Sequence, residues 1–374
     1  MPILIIFIDS FPYDCLGETE FIKSLPSQYK ITPSFGYSVN LHAELFAGFR
    51  PDDVGYFGEW SFNPHKDISW IDKIVSRLNF LRRFSPFLDG GLHYVLHQYF
   101  NYQCANIPFD SLDLFQHKGG YPLRGNWEYK TIFDEFGFAT IAPDFLPLPS
   151  GKKDKYSYTK AKELINQGEE QIFVSFPGLD GVAHKFGMDS SQYKERIGRI
   201  DNYSKELVAR FLTLHSQGRI VILSDHGMAR AKEKVSLQLE KRFGRPDVNR
   251  LVYFYDSLYL RIWIQRHSLR KEITDFLQKS KAGNILTREE RAFWGLSDPK
   301  LGEIIFLLKE GYAFAPNYFG FRLLRAYHGY HPDLESQKCI FLFNGSGIRK
   351  EPRYLIDVYH ALRKLIQIDE DERY

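Results

Sequence analysis

Three aspartates, Asp9, Asp180 and Asp225, each closely follow an apolar run of the kind that forms a buried strand. In an open parallel sheet the carboxyl ends of the strands meet at one edge, so the three carboxylates are expected close together. Grouped carboxylates repel one another unless a cation lies among them. A single strand-terminal aspartate can instead cap the next helix, but this reading suits one acid better than all three. The acids therefore predict a metal site at that edge.

Histidines accompany two of these acids. His226 follows Asp225 directly and precedes a glycine, where the chain can leave the strand so that both side chains face one ion. Asp180 and His184 are spaced by one helical turn, and His328 lies in a loop before a later strand. A set of six Asp and His ligands suits Zn²⁺, with Mn²⁺ or Fe as alternatives.

Apolar runs alternate with helical patterns along the chain, and these elements must position the acids. Gln192–Leu214 places apolar residues on one helical face, and Trp127–Phe136 keeps helical spacing up to Gly137. Asp201 on the former helix is assigned to surface charge, with a supporting role at the metals as the alternative. The alternation predicts an α/β fold with a doubly wound, mostly parallel sheet flanked by helices. Its expected buried strands are Ile3–Ile8, Phe138–Ile141, Ile172–Phe176, Ile220–Leu223 and Cys339–Phe343.

Two stretches interrupt this alternation. Residues from about 61 to 126 are rich in aromatics, His and Gly, with a short helical pattern near Ile71–Phe84. Residues from about 229 to 325 contain an alternating run, Val252–Ile264, and a helical pattern, Leu269–Leu277. We expect one catalytic domain over residues 1–374, with the first stretch a partly helical insertion and the second a small α+β cap.

Composition excludes several classes of protein. A hydrophobic content of 44% and a charged content of 25% are ordinary for a globular chain, and a net charge of +3 is too small to indicate binding to a nucleic-acid polymer. The three cysteines are far apart, so neither a disulfide framework nor a thiolate zinc site is expected. No apolar run approaches a membrane span, and Ile3–Ile8 is too short for a signal peptide. These features predict a cytoplasmic protein with a small-molecule substrate.

Four blocks of the sequence resemble the nucleotide pyrophosphatase/phosphodiesterase family of the alkaline phosphatase superfamily. They are Ile3–Asp9; Ser38-Val39-Asn40-Leu41-His42 with Phe46–Pro51 and Gly55 downstream; Asp180-x-x-x-His184-x-x-Gly187; and Ser224–Met228 with His328–Tyr330. The second block looks like the family's Thr-Phe-Pro-Asn-His stretch and the Thr-Gly-Leu-Tyr-Pro that follows it. The four blocks span most of the chain in the family's order, and the resemblance implies an alkaline-phosphatase-like fold.

The resemblance also implies roles for single residues. One metal would be held by Asp180, His184 and His328, and the other, beside the nucleophile, by Asp9, Asp225 and His226. The family's nucleophilic Thr aligns with Ser38, with Ser34 and Tyr37 as alternatives. The family's oxyanion-binding Asn falls near Glu59, so substrate binding is assigned to Asn40 instead.

The expected activity is metal-dependent hydrolysis of a phosphodiester or pyrophosphate bond in a nucleotide-type or other diphosphate substrate. A metal-activated Ser38 would form a phosphoseryl intermediate. No arginine immediately flanks Ser38, which favours a diester or pyrophosphate over a dianionic monoester, whereas the sequence does not decide whether Arg50 reaches the site. The alternatives are a phosphomonoesterase or phosphomutase that uses the same site, and a noncatalytic module that binds a phosphate ligand. A sulfatase is disfavoured because Cys15 lacks a Cys-x-Pro-x-Arg setting.

Overall fold

The computed structural model describes residues 1–64, 91, 92, 95, 106–118, 129–143, 146, 148, 150–345, 348 and 350–367. The chain divides into two compact units. The first comprises Met1–Arg50, Gly120–Arg230 and Leu324–Tyr374, and the second comprises Pro51–Gly119 and Ala231–Leu323. The expected helical piece near Ile71–Phe84 and the position of Trp127 lie outside the described residues.

The strands, in chain order, are β1 (Ile3–Ile8), β2 (Ser27–Ile31), β3 (Trp60–Phe62), β4 (Phe115–His117), β5 (Ala139–Ile141), β6 (Gln171–Phe176), β7 (Arg219–Leu223), β8 (Ala229–Arg230), β9 (Glu233–Val235), β10 (Leu251–Tyr255), β11 (Tyr259–Ile264), β12 (Gly283–Ile285), β13 (Ile304–Leu308), β14 (Tyr312–Phe314), β15 (Ala326–Tyr327) and β16 (Cys339–Phe343). The α-helices are α1 (Ser38–Ala47), α2 (Pro51–Val54), α3 (Ile132–Phe136), α4 (Ser150–Asn166), α5 (Gly178–Phe186), α6 (Ser191–Leu214), α7 (Leu239–Phe243), α8 (Leu269–Gln278), α9 (Arg288–Trp294) and α10 (Leu355–Gln367). Short 3₁₀ helices span Tyr13–Glu18, Ile22–Ser24, Phe109–Leu114, Pro299–Leu301 and Glu335–Gln337.

The first unit is built on a six-stranded sheet with the order β2-β16-β7-β1-β6-β5. Strands β7, β1, β6 and β5 run parallel, which confirms the mostly parallel α/β class. The expectation that Cys339–Phe343 is a parallel strand is wrong, because β16 runs antiparallel to both β7 and β2. A strand buried on both faces has the same apolar pattern in either direction, so the pattern does not encode the direction.

Side chains of β1 alternate between the two faces of this sheet and enter two separate cores. Leu4, Ile6 and Ile8 pack with residues of α4, α5 and α6. Ile3, Ile5 and Phe7 pack with residues of α1, α3 and α10. Helices therefore cover both faces, as a doubly wound fold requires.

The two predicted helices of this unit are found with different extents. The helix expected at Gln192–Leu214 is confirmed as α6, which begins after Ser190, whose side chain accepts the backbone N–H of Tyr193. The pattern over Trp127–Phe136 yields helix only from Ile132, because Thr131 forms a capping box there. Gly137 ends that helix with a φ of 73°, a conformation that glycine adopts without strain.

The second unit contains a four-stranded antiparallel sheet with the order β10-β11-β13-β12. The run Val252–Ile264 forms the hairpin of β10 and β11 instead of one strand, and the helix expected at Leu269–Leu277 is confirmed as α8. Arg261 is fully buried between the Asp256 carboxylate, 2.7 Å away, and the Trp60 carbonyl oxygen, also 2.7 Å away. A catalytic domain with insertions at 61–126 and 229–325 stays a prediction.

Candidate active site

The acids at the strand ends come together because their strands are neighbours. Strand β1 lies between β7 and β6, and Ile8, its last residue, pairs with Phe176, the last residue of β6. Asp9 follows at once, and its backbone N–H donates to the Phe176 carbonyl oxygen at 3.2 Å. Asp225 stands two residues past β7, and Asp180 is the third residue of α5.

Asp9, Asp225 and His226 form the first donor set, with ligand atoms that all lie within 4.8 Å of one another. His226 Nε2 is 3.6 Å from Asp9 Oδ1 and 3.4 Å from Asp225 Oδ2. The backbone N–H of Ser10 donates to Asp225 Oδ1 at 3.3 Å. Ser10 adopts a φ of 62°, which is rare for a residue other than glycine and is strained.

Gly227 follows His226 at a place where another backbone segment packs closely against the chain, which the sequence pattern did not show. A Cβ at Gly227 would lie closer than 3.0 Å to the backbone atoms of Ser336, Gln337 and Lys338. The Gly227 N–H also donates to the Gln337 carbonyl oxygen at 2.8 Å. The glycine is therefore needed because two backbone segments pack against each other directly after His226.

Asp180, His184 and His328 form the second donor set, again with ligand atoms within 4.8 Å of one another. Asp180 Oδ1 lies 3.2 Å from His184 Nε2, its neighbour one turn along α5, and 3.8 Å from His328 Nε2. His328 follows β15, which pairs with β8 shortly after His226. The rings of His226 and His328 are stacked with centroids 3.7 Å apart, so the two donor sets are adjacent.

The orientation of two histidines fits a bound cation. Nδ1 of His184 lies 2.8 Å from the Ala326 carbonyl oxygen, and Nδ1 of His226 lies 2.8 Å from the Gly227 carbonyl oxygen. A carbonyl oxygen only accepts, so each Nδ1 carries a proton, and Nε2 is the atom of each ring that is left to bind a metal ion. Both Nε2 atoms face carboxylate oxygens, so a divalent cation between them would be bound by a nitrogen and an oxygen donor. The donor set therefore fits divalent metal ions.

Burial and mutual charge perturb the ionisable groups of the site. Burial alone would raise the pKa of Asp180, but His184, His328 and His226 outweigh it and lower the pKa below its ordinary value. Burial also opposes ionisation of Asp225, yet His226 and His42 lower its pKa. Burial and the neighbouring His226 lower the pKa of His328 well below its ordinary value, which favours the neutral ring that a metal ligand requires.

Ser38 is the first residue of α1, and its Oγ lies 3.3 Å from His226 Nε2. The two alternative nucleophiles are placed differently. Ser34 donates its hydroxyl to the buried Glu44 carboxylate, and the Tyr37 ring packs edge-on against His328 with centroids 5.8 Å apart. Of the three hydroxyls, that of Ser38 has the contact with the first donor set.

Asn40 is fully buried, and both polar atoms of its amide are engaged near the start of α1. Its Oδ1 accepts the backbone N–H of Tyr37 at 2.9 Å, and its Nδ2 donates to the Phe35 carbonyl oxygen at 2.9 Å. These bonds fix the turn that presents Ser38. A role for Asn40 in substrate binding stays a prediction.

Two residues that support the site had no role assigned from the sequence. His42, one turn after Ser38 on α1, places Nε2 3.2 Å from Asp225 Oδ2, and its place in the second sequence block was the signal for it. Gln337 Oε1 accepts the backbone N–H groups of Gly329 and Tyr330 at 2.8 and 3.1 Å, and so fixes the turn after His328. Nothing in the sequence around Gln337 pointed to this role.

The assignment of Asp201 to surface charge is wrong. Asp201 is buried, and its carboxylate accepts the backbone N–H groups of Glu20, Phe21 and Ile22 at 2.8 to 3.2 Å. It ties α6 to the segment that precedes β2. A helical pattern alone does not show which polar residue meets another part of the chain.

In the part of the chain that the structure describes, no helix is both long and apolar enough to cross a membrane.

Comparisons with known proteins identify the family of this chain. Three structures share the fold at 18% identity, each covering 98% of this chain and 95% of the other: murine ectonucleotide pyrophosphatase/phosphodiesterase 5 with a TM-score of 0.66, an inactive variant of it in complex with AMP with the same TM-score, and the human protein of that name with a TM-score of 0.64. A search among curated proteins gives no match. The family model described as type I phosphodiesterase/nucleotide pyrophosphatase matches residues 105–330, more than half of the chain. The chain therefore belongs to the type I phosphodiesterase/nucleotide pyrophosphatase family, whose members are metal-dependent phosphodiester hydrolases.

Proposed function

We propose that this protein hydrolyses phosphodiester or pyrophosphate bonds of nucleotide-type or other diphosphate substrates at a site for two divalent metal ions, through a phosphoseryl intermediate on Ser38. The observation that carries the proposal is the placement of Ser38 Oγ 3.3 Å from His226 Nε2, within reach of one complete donor set and beside a second. Adjacent donor sets of three Asp and His residues, with a hydroxyl at one of them, suit phosphoryl transfer better than simple phosphate binding.

The chain's own residues would perform most of the positioning. Ser38 starts α1, whose N-terminal end attracts anions, so a phosphate group is favoured next to the hydroxyl. Attack of the Ser38 oxygen forms an Oγ–P bond while the bond from phosphorus to the leaving oxygen breaks. The phosphoseryl group keeps the second substituent of the substrate. Water then attacks its phosphorus, the Oγ–P bond breaks, and a phosphomonoester is released while the proton returns to the serine oxygen. His42 and the N–H of Ser10 hold Asp225 through both events.

Bound divalent ions would lower the pKa of the serine hydroxyl, neutralise phosphate oxygens and stabilise the leaving oxygen. Asp9, Asp225 and His226 would hold one ion, and Asp180, His184 and His328 the other. We propose Zn²⁺ for both, because mixed Asp and His donors suit it, with Mn²⁺ or Fe as alternatives.

A diester or diphosphate substrate agrees with the position of Arg50. A phosphomonoester dianion is commonly met by arginine, but Arg50 follows the C-terminal end of α1 whereas Ser38 is at its start. A helix of this length separates its ends by about 15 Å.

The AMP complex of the murine relative supports a nucleotide as the class of substrate. The structural relatives are named as ectonucleotide enzymes, so they give no support to the cytoplasmic location expected from the sequence.

The proposal is tested by the hydrolysis of bis(p-nitrophenyl) phosphate and of p-nitrophenyl phosphate by protein loaded with zinc. We expect faster turnover of the diester, loss of turnover after chelation and recovery on addition of zinc. Ser38→Ala should reduce kcat by roughly 10³-fold or more. Ser34→Ala serves as the matched control and should keep its kcat near that of the wild type.

Each alternative has its own outcome. Faster turnover of the monoester would identify a phosphomonoesterase, and phosphate binding without turnover of either ester would identify a noncatalytic module. Equal activity of Ser38→Ala and the wild type would refute the assignment of the nucleophile.

A further inference from the structure

Helix α5 carries Asp180 and His184, but the residue before it provides no cap. Pro177 stands at the N-cap position, and no side-chain hydrogen bond is made from it. The first N–H groups of a helix have no partner within the helix, and leaving them without one in a buried place is costly. The first of these groups belongs to Gly178, which is buried.

The missing cap comes from a different helix. Asp154 of α4 is fully buried, and its Oδ1 accepts the Gly178 N–H at 2.8 Å. A carboxylate at a helix N-terminus also interacts favourably with the helix dipole. Asp154 therefore has the role of an N-cap residue although it precedes α5 by more than twenty residues.

Arg196 of α6 completes this arrangement. Its Nη1 lies 2.5 Å from Asp154 Oδ2, and the guanidinium is almost entirely buried, so each charge is compensated by the other. A Cβ at Gly178 would lie closer than 3.0 Å to both Arg196 Nη1 and Asp154 Oδ2. The ion pair thus packs directly against the Cα of Gly178, and the helices α4, α5 and α6 meet at the first turn of α5.

We propose that Asp154 and Arg196 are positioning residues for the Asp180–His184–His328 donor set. This inference rests on the proposed function, because it assigns a role toward the second metal ion. Asp180 stands two residues after Gly178, so the place of the first turn fixes where its carboxylate meets His184 and His328. Asp154 sets that place by holding the Gly178 N–H, and Arg196 orients the Asp154 carboxylate through its contact with Oδ2.

The test is a calorimetric titration of chelator-treated protein with zinc chloride, with two double variants that both remove the charges. Asp154→Leu/Arg196→Met leaves Gly178 without an acceptor, whereas Asp154→Asn/Arg196→Gln keeps an amide oxygen in place. Apolar replacement of a buried ion pair is often neutral for stability, so the first variant is expected to fold. His184→Ala identifies the binding step that belongs to the second donor set.

We expect Asp154→Leu/Arg196→Met to bind zinc at the second set about 10- to 100-fold more weakly, as is typical for loss of a residue that supports a ligand, with the first step unchanged. Asp154→Asn/Arg196→Gln should bind within roughly threefold of the wild type. Asp201→Ala is the matched control: it removes another buried carboxylate that accepts backbone N–H groups, and it should lower stability but leave both zinc steps unchanged.

If Asp154→Leu/Arg196→Met binds zinc in two steps with the affinities of the wild type, the inference is overturned and the pair has a purely structural role. Loss of the second step in Asp201→Ala would also overturn it, because general destabilisation would then explain the effect. Failure of the wild type to bind two zinc ions, or an unchanged titration in His184→Ala, would instead refute the proposed metal site itself.

Discussion

Replacing Gly227 by alanine adds one methyl group directly after His226, at a place where the neighbours are backbone atoms. The new Cβ would lie closer than 3.0 Å to backbone atoms of Ser336, Gln337 and Lys338, and none of these is the end of a flexible side chain. The two segments must separate by roughly 1 Å to restore ordinary contact. That separation lengthens or breaks the 2.8 Å hydrogen bond from the Gly227 N–H to the Gln337 carbonyl oxygen.

The expected cost has two parts. Overpacking in a close-packed region costs about 1–3 kcal/mol, and a buried hydrogen bond lost without replacement costs a further 1–3 kcal/mol or so. We therefore expect Gly227→Ala to lower the free energy of unfolding by about 2–6 kcal/mol. Gly198→Ala is the matched control, because Gly198 lies within α6 and its Cβ would meet no atom within 4 Å. The same methyl group should raise stability there by about 0.5–1 kcal/mol, since alanine favours a helix over glycine.

Gly227→Ala should also weaken metal binding at the first donor set. The Gly227 carbonyl oxygen holds Nδ1 of His226, so the ring moves with the displaced backbone. Urea unfolding gives the change in free energy at constant m, and a zinc titration gives the affinity of the first donor set, which we expect to fall at least tenfold. A Gly227→Ala protein as stable as the wild type would refute the packing argument, and an unchanged zinc affinity would refute the link from Gly227 to His226.

Three further substitutions test other parts of the structure. Ser10→Gly relieves the φ of 62° and should raise the melting temperature through a gain of about 1 kcal/mol, whereas Ser10→Ala keeps the strain and should change little. Burial raises the pKa of Glu44 from 4.5 to about 6, so the folded state binds more protons than the unfolded state between these pH values. The free energy of unfolding therefore falls by about 2 kcal/mol as the pH rises through that window. Urea unfolding of Glu44→Gln at several pH values should not show this decrease. Gln337→Leu removes the amide oxygen that accepts the N–H groups of Gly329 and Tyr330 and should cost about 2–4 kcal/mol by urea unfolding, while unaltered stability would refute this role of Gln337.

The sequence patterns predicted the features that depend on neighbours along the chain. The six consecutive apolar residues Ile3–Ile8 predicted a buried strand, and all six are buried in β1. Asp9 directly follows this strand. The spacing of Asp180 and His184 predicted one helical face, and α5 provides it. Strand β2 was missed, because its sequence alternates polar and apolar residues at the sheet edge and lacks a continuous apolar run.

Features that join distant parts of the chain were not predictable in this way. Asp154 and His42 each act through a contact with a segment far away in sequence, and no local pattern identifies the partner. Gln337 acts across a turn of seven to eight residues, where no helical or strand periodicity relates it to Gly329 and Tyr330. The direction of β16 belongs to the same class, since burial on both faces gives the same composition for parallel and antiparallel strands. Local propensity and periodicity give elements, whereas packing decides which polar groups meet.

The most direct measurement is an acid quench of zinc-loaded protein during turnover of bis(p-nitrophenyl) phosphate, followed by mass spectrometry of the peptides. We expect a p-nitrophenyl phosphoryl adduct on Ser38, because one p-nitrophenol leaves and the other stays on phosphorus. The adduct should appear with the first turnover, disappear when substrate is exhausted and be absent from Ser38→Ala and from chelated protein. An adduct on Ser34 or Tyr37, or turnover by Ser38→Ala at the wild-type rate, would contradict a phosphoseryl intermediate at this site.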